Sequence, residues 1–168
     1  ISIVRESLTG TVDLPFVGRR AQLEELQAAF GASREGPPVV VMLHGRSGMG
    51  KSALASRFVA QLEARPDTLV LSGRCYDREA VPCKAVDQVV DELSRWLALL
   101  PEEEGYALVP AEVRALARLF PVLENARVVA EAPDRGAEVA EPLEMRRRAF
   151  SAMKELLSAI AARWSLVI

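Results

Sequence analysis

Apolar positions along the chain fall into two patterns. Leu23, Leu26 and Phe30 recur at i, i+3 and i+7, the spacing of one helical face. Gly31 and then Gly36-Pro37-Pro38 are placed to end that helix. Residues 39–44 form an unbroken apolar run instead, the pattern of a strand buried on both faces. Helical spacing returns with Leu54, Phe58 and Leu62, and Pro66 bounds it. Residues 68–72 predict a second buried strand, followed by a loop through residue 82. Residues 83–100 predict a long helix with an apolar stripe of Val86, Val89, Val90, Leu93, Leu97 and Leu100. Pro101 and Glu102-Glu103-Glu104 close it, and the acidic run reads as a solvated connector. Val113, Leu116 and Phe120 mark a shorter helix before Pro121. Residues 124–141 are rich in Ala, Pro and charge, and predict a loop with room for one short helix. Phe150, Met153, Leu157 and Ile160 give a helix over 143–162, and residues 164–168 predict a third buried strand. Residues 1–14 lack periodicity and read as a linker or lead-in segment.

Strands alternating with helices imply an α/β fold with a parallel sheet, whose ligands bind at the carboxyl ends of the strands. Composition narrows this modestly. The 168 residues are half hydrophobic, enough for one domain with a core and unlike a disordered segment. A net charge of −2 gives no support for a nucleic-acid or membrane-surface partner. No apolar run is long enough to span a membrane as a helix, and no secretory signal is visible. Two cysteines, Cys75 and Cys83, and a single histidine make a Cys/His zinc site a poor expectation and reduced thiols in a cytoplasmic setting the simple one. The start at Ile1 leads us to expect a piece of something longer.

The chemistry concentrates where the first apolar run ends. Gly45-Arg46-Ser47-Gly48-Met49-Gly50-Lys51-Ser52 matches G-x-x-x-x-G-K-[ST], the P-loop or Walker A pattern. Its glycines let the backbone curl so that amide N–H groups point at a polyphosphate, and the helix beginning near Lys51 adds the positive end of its dipole. Lys51 is the expected β- and γ-phosphate contact and catalytic cation, Ser52 the expected Mg²⁺ ligand, and Ala53 the next residue of the cradle. Strand, loop and helix in that order favour this reading over a Gly-rich surface turn.

Other stretches resemble one family together with this loop. Phe16-Val17-Gly18-Arg19 resembles the opening motif, F-V-G-R-E, of AAA-type ATPase domains in STAND proteins, the signal-transduction ATPases with numerous domains. Gly73-Arg74-Cys75-Tyr76-Asp77, with Val81-Pro82-Cys83-Lys84-Ala85-Val86-Asp87, resembles the G-R-C-Y-E-x-E-x-V-P-Y-K-A-L-D block of a subgroup found in bacterial multidomain regulators, some fused to serine/threonine kinases. Phe120-Pro121-Val122-Leu123 and Arg146-Arg147-Arg148-Ala149-Phe150 continue the likeness, which spans residues 16–168. Arg20 stands where the family usually has Glu, and Cys83 where Tyr is common.

The resemblance implies an AAA-like P-loop NTPase, a three-layer sandwich on a parallel sheet, occupying residues 15–168. It implies ATP or ADP with Mg²⁺, Phe16 and Val17 at the adenine, and Arg19 near the nucleotide or anchoring the first helix. Simple core packing is the other reading of Phe16. In this family the third strand runs into a Walker B acidic pair, and here residues 166–168 are that strand. We therefore expect the N-terminal portion of the domain, truncated at the Walker B strand, which binds nucleotide and hydrolyses it poorly.

Several residues keep two readings. His44 suits packing at a strand end better than a γ-phosphate contact. Arg46 is a phosphate contact or a solvated loop tip. Arg74 is a γ-phosphate contact or a surface ion pair. Asp77 reads as a loop residue rather than a metal ligand. Arg146-Arg147-Arg148 spreads around a helix and reads as a solvated face. Trp96 and Trp164 read as packing residues.

The expectation is thus an ATP-dependent switch module, partnered by nucleotide and by fused sensor and effector domains, with self-association left open. ATP is preferred to GTP by family likeness, and no N-K-x-D guanine-reading motif occurs. A small P-loop phosphotransferase, such as a metabolite kinase, and a non-catalytic scaffold are the alternatives.

Overall fold

The computed structural model describes residues 18–74, 84–134 and 141–168. It divides into two compact units, one up to Ala60 and the other Gln61–Ile168. Phe16, Val17, Cys75, Asp77 and Cys83 lie outside the described residues.

The first unit holds helix α1 (Arg20–Glu35) and most of helix α2 (Lys51–Glu63). Helix α1 runs on through Gly31 and stops only before Gly36-Pro37-Pro38. One internal glycine costs about 1 kcal/mol relative to alanine, too little to end a helix, whereas proline at 37 removes a donor outright. Leu26 is the buried residue of this helix.

The run at 39–44 departs from expectation. It forms no strand, and Val39, Val40, Val41, Met42 and Leu43 are exposed, Val40 to 82%. A strand exists only through its partner's hydrogen bonds. The described residues of the first unit contain no other strand for this run to pair with. His44 is likewise exposed and not packed at a strand end.

In the second unit, β1 (Thr68–Val70) and β2 (Ser165–Val167) pair in parallel, with Leu69 opposite Leu166 and Val70 opposite Val167. The ladder extends beyond both ends: Ser165 N–H donates to Asp67 O, and Leu71 N–H to Val167 O, each at 2.8 Å. Among the described residues this two-stranded sheet is the whole β content, and most of the unit is helical. The expected strands at 68–72 and 164–168 are therefore present. The three-layer sandwich is not seen among the described residues.

The helices that build the core lie between the two strands in chain order. Helix α3 (Lys84–Leu99) buries Val90, Leu93 and Leu97, with Val89 and Leu100 half-buried and Val86 exposed. Each fully buried leucine contributes about 1.5–3 kcal/mol relative to exposure, so this stripe fixes the helix to the core. Ser94 sits within the stripe, fully buried, and donates to Val122 O at 2.6 Å. The acidic run is not a connector: Glu102–Leu108 is helix α4, and Glu102, Glu103 and Glu104 occupy its first turn. Carboxylates at a helix N-terminus meet the positive end of its dipole, so the run favours starting a helix there.

Helix α5 (Val113–Leu119), a 3₁₀ turn (Pro121–Asn125) and the short helix α6 (Arg127–Ala130) follow. Helix α7 (Pro142–Ala161) packs chiefly against α5. Its buried face is Ala149, Ala152, Leu156 and Ile160, while Phe150 is 48% exposed and Met153 and Leu157 are partly buried. The core face is thus rotated from the stripe that the large side chains suggested. Alanine at 149 and 152 permits close approach to α5, where Val113, Ala115, Leu116 and Ala117 are buried. Trp96 and Trp164 pack edge to face, ring centres 5.1 Å apart at 88°.

Candidate functional site

The loop before α2 is built on glycine. Gly48 and Gly50 both have φ of +78°. A side chain there would be strained by about 1–2 kcal/mol, so the turn needs residues without Cβ. Met49 N–H donates to Arg46 O at 3.4 Å, and Gly50 O accepts from Leu54 N–H at 3.0 Å, which starts the helix. No acidic residue occupies the first turn of α2. The positive end of the α2 dipole therefore has no competing carboxylate on that turn, where Ser52 and Ala53 are exposed.

Gly45, Arg46, Ser47, Gly48, Met49 and Gly50 are all exposed. Lys51 opens α2 half-buried, and Ser52 and Ala53 are exposed beside it. The Lys51 ammonium donates to Gly45 O at 2.7 Å and to Arg46 O at 3.0 Å. Every peptide here is trans, so each amide points opposite to the carbonyl it shares a plane with. With those two carbonyls turned to the ammonium, the amides of Arg46 and Ser47 point away from it. An anion that uses the ammonium and these amides together has to draw Lys51 off its own loop.

Arg19, half-buried ahead of α1, donates through Nη2 to Met49 O. The structure thus brings Arg19 to the loop, thirty residues along the chain. Nothing in local spacing signals that contact. The Arg46 side chain is exposed at the loop.

Arg74 belongs to a different feature. Residues 72–74 and Gln88, Asp91, Glu92 and Arg95 of α3 line an open cleft of about 600 Å³ in the second unit. There Glu92 Oε2 accepts from Ser72 N–H at 2.6 Å and Gln88 Oε1 from Arg74 N–H at 2.7 Å, so α3 side chains satisfy the backbone leaving β1. Sequence reasoning missed these two polar positions because they lie on the face of α3 away from its apolar stripe.

The remaining charged clusters are ion pairs. Arg147 and Arg148 both hold Glu144, at 3.1 and 3.3 Å, and hydrogen bonds first from Arg147 and then from Arg148 lower its pKa. Arg127 bridges Glu102 at 2.7 Å and Glu131 at 2.6 Å. The Tyr106 hydroxyl also donates to Glu131 at 2.6 Å, which lowers the Glu131 pKa and raises that of Tyr106. Among the described residues no group of three or more His, Cys, Asp or Glu is arranged to hold a metal ion, and no helix is long and apolar enough to cross a membrane.

A glycine loop that opens a helix with Lys-Ser defines a P-loop NTPase, a nucleotide-binding class. Residues 15–168 match the family model described as AAA ATPase domain, and the chain belongs to that family. No curated protein matches the chain. No solved structure matches it either.

Proposed function

We propose that the chain is the ATP–Mg²⁺-binding module of a STAND-type signalling ATPase, acting as a nucleotide-dependent switch in a multidomain cytoplasmic regulator. The observation that carries this is the glycine loop delivering Lys51 and Ser52 to the exposed first turn of α2. Amides of residues 45–53 bind the phosphates, and the freed Lys51 ammonium neutralises the β- and γ-oxygens. The Ser52 hydroxyl supplies one Mg²⁺ ligand. Ser52 would hold the Mg²⁺ ion, which would supply positive charge to offset that of the polyphosphate there. Phe16 and Val17 flank the base.

The switch follows from Lys51 having two sets of partners. Without phosphate it is held by Gly45 O and Arg46 O; with phosphate it leaves them, and the Gly45–Arg46 peptide plane loses that hold while Arg46 O keeps the Met49 N–H. Fused sensor and effector domains read that change. The STAND assignment is supported by the sequence blocks at 16–19 and 73–87, and membership of the AAA ATPase domain family supports the coarser nucleotide-binding reading.

Calorimetry with ATP–Mg²⁺ on the wild type and Lys51→Ala tests the reading. Binding by the wild type, weakened at least about tenfold in the variant, is expected for loss of a charge-assisted contact. Equal binding by both proteins, or no heat from either, overturns it; the latter favours a scaffold.

A further inference from the structure

We propose that Arg19 is a positioning residue that straps the phosphate loop through the Met49 carbonyl, and does not contact the base or the terminal phosphate. The proposal deepens, and rests on, the reading of residues 45–52 as a polyphosphate site. It starts from how Arg19 is held. Gly18, at φ +83°, turns the chain, and Arg19 O accepts the first bond of α1 from Leu23 N–H at 3.1 Å. Its backbone is therefore fixed to a sixteen-residue helix. Its side chain does not cap that helix. The guanidinium reaches Met49 O instead.

What this fixes is one peptide plane. Met49 C=O and Gly50 N–H share a trans peptide and point in opposite directions. Holding the carbonyl on Arg19 aims the Gly50 amide the other way. The next plane is fixed independently, because Gly50 O accepts from Leu54 N–H in the first turn of α2. The Met49–Gly50 peptide turns about ψ of Met49 and φ of Gly50, and Gly50, at φ +78°, has no Cβ to oppose the turn. Without the strap it can flip, presenting a carbonyl oxygen where the loop should present a donor. Arg19 thus acts on any bound polyphosphate through the backbone. A rigid planar fork suits that task better than a lysine, whose ammonium is a point charge on a flexible stem.

Two measurements on the full chain test this. The first needs no ligand: ¹⁵N relaxation of wild type, Arg19→Ala, Arg19→Lys and, as a control, the neighbouring Arg20→Ala. Order parameters of Met49 and Gly50 should fall from about 0.85 towards 0.6 in Arg19→Ala, fall less in Arg19→Lys and stay unchanged in Arg20→Ala. Unchanged α1 amide shifts show that the helix persists; if α1 is lost in Arg19→Ala, the Arg19→Lys comparison decides. The second is the affinity for ATP, ADP and inorganic tripolyphosphate, each with Mg²⁺. Arg19→Ala should weaken all three by a common factor of about ten. A loss that spares tripolyphosphate identifies a base contact, and one that spares ADP a γ-phosphate contact; either overturns the strap. Unchanged order parameters also overturn it. If the wild type binds none of the three ligands, the proposed function fails, while the relaxation data still decide whether Arg19 orders the loop.

Discussion

Gly105 shows how a single position can depend on a distant neighbour. It lies in α4, and a Cβ there would stand 2.9 Å from Val128 Cγ1 and 3.3 Å from Cγ2. Alanine gains about 1 kcal/mol of helix propensity over glycine, while overpacking a core contact costs about 1–3 kcal/mol. The clash wins by a modest margin. Gly105→Ala should therefore lower the urea midpoint, by about 1 kcal/mol in stability. In a Val128→Ala background the same change should become neutral or stabilising, because the opposing methyls are gone. A double-mutant cycle by denaturant titration checks both arms. The loop glycines were legible in the sequence, since their pattern is local. The need for glycine at 105 was not, because it is set by a valine on another helix.

Helix α7 makes the same point for an element. Its existence was plain from apolar spacing, and Ile160 is buried, with Met153 and Leu157 partly buried against the core, but the large residue Phe150 drew the predicted core face partly round the helix. Helix α5 decides the face by approaching closely where α7 offers alanine. Ala152→Leu should destabilise the protein by about 1–3 kcal/mol, since the site is fully buried and a close-packed core resists extra methylenes. Phe150→Ser should cost under about 1 kcal/mol, because nearly half of that residue is already in water. Thermal or urea denaturation of the two variants separates the two faces; the opposite ranking would restore the stripe through Phe150. Helix α4 was misread for a related reason. Three glutamates look like a solvated link until they are placed at a helix N-terminus, with Glu102 paired to Arg127.

At the scale of the molecule, charge sets a pH response. Glu131, held by the Tyr106 hydroxyl and by Arg127, and Glu144, held by Arg147 and Arg148, both have folded pKa values below 4.5. The unfolded chain therefore binds protons first as pH falls. The stability these carboxylates contribute is present above about pH 4.5 and is lost as pH drops through their lower folded values. Tyr106 acts in the other direction: its raised pKa gives a contribution that is present below pH 10 and lost above it. The urea midpoint should decline between pH 6 and pH 3, and less steeply in Glu131→Gln and Glu144→Gln. Salt should shrink the difference, because Tyr106, Arg127, Glu131 and Arg147 are exposed and Glu144 and Arg148 are only half-buried.

Determined by the sequence alone were the features written in neighbouring residues: helices by their spacing, the strands at 68–72 and 164–168 by apolar runs between turns, and the phosphate loop by its glycines and Lys51. The family resemblance rested on the same local blocks, and the AAA ATPase domain match agrees with it at the family level. Tertiary structure decided what requires a partner. Residues 39–44 have the composition of a strand but no strand among the described residues of their unit to pair with. The face α7 buries follows from α5, and the Lys51 and Arg19 cations are held by loop carbonyls that no spacing rule specifies. Periodicity encodes an element, but a hydrogen bond or a packed face needs a second group, and the position of that group is a property of the folded chain.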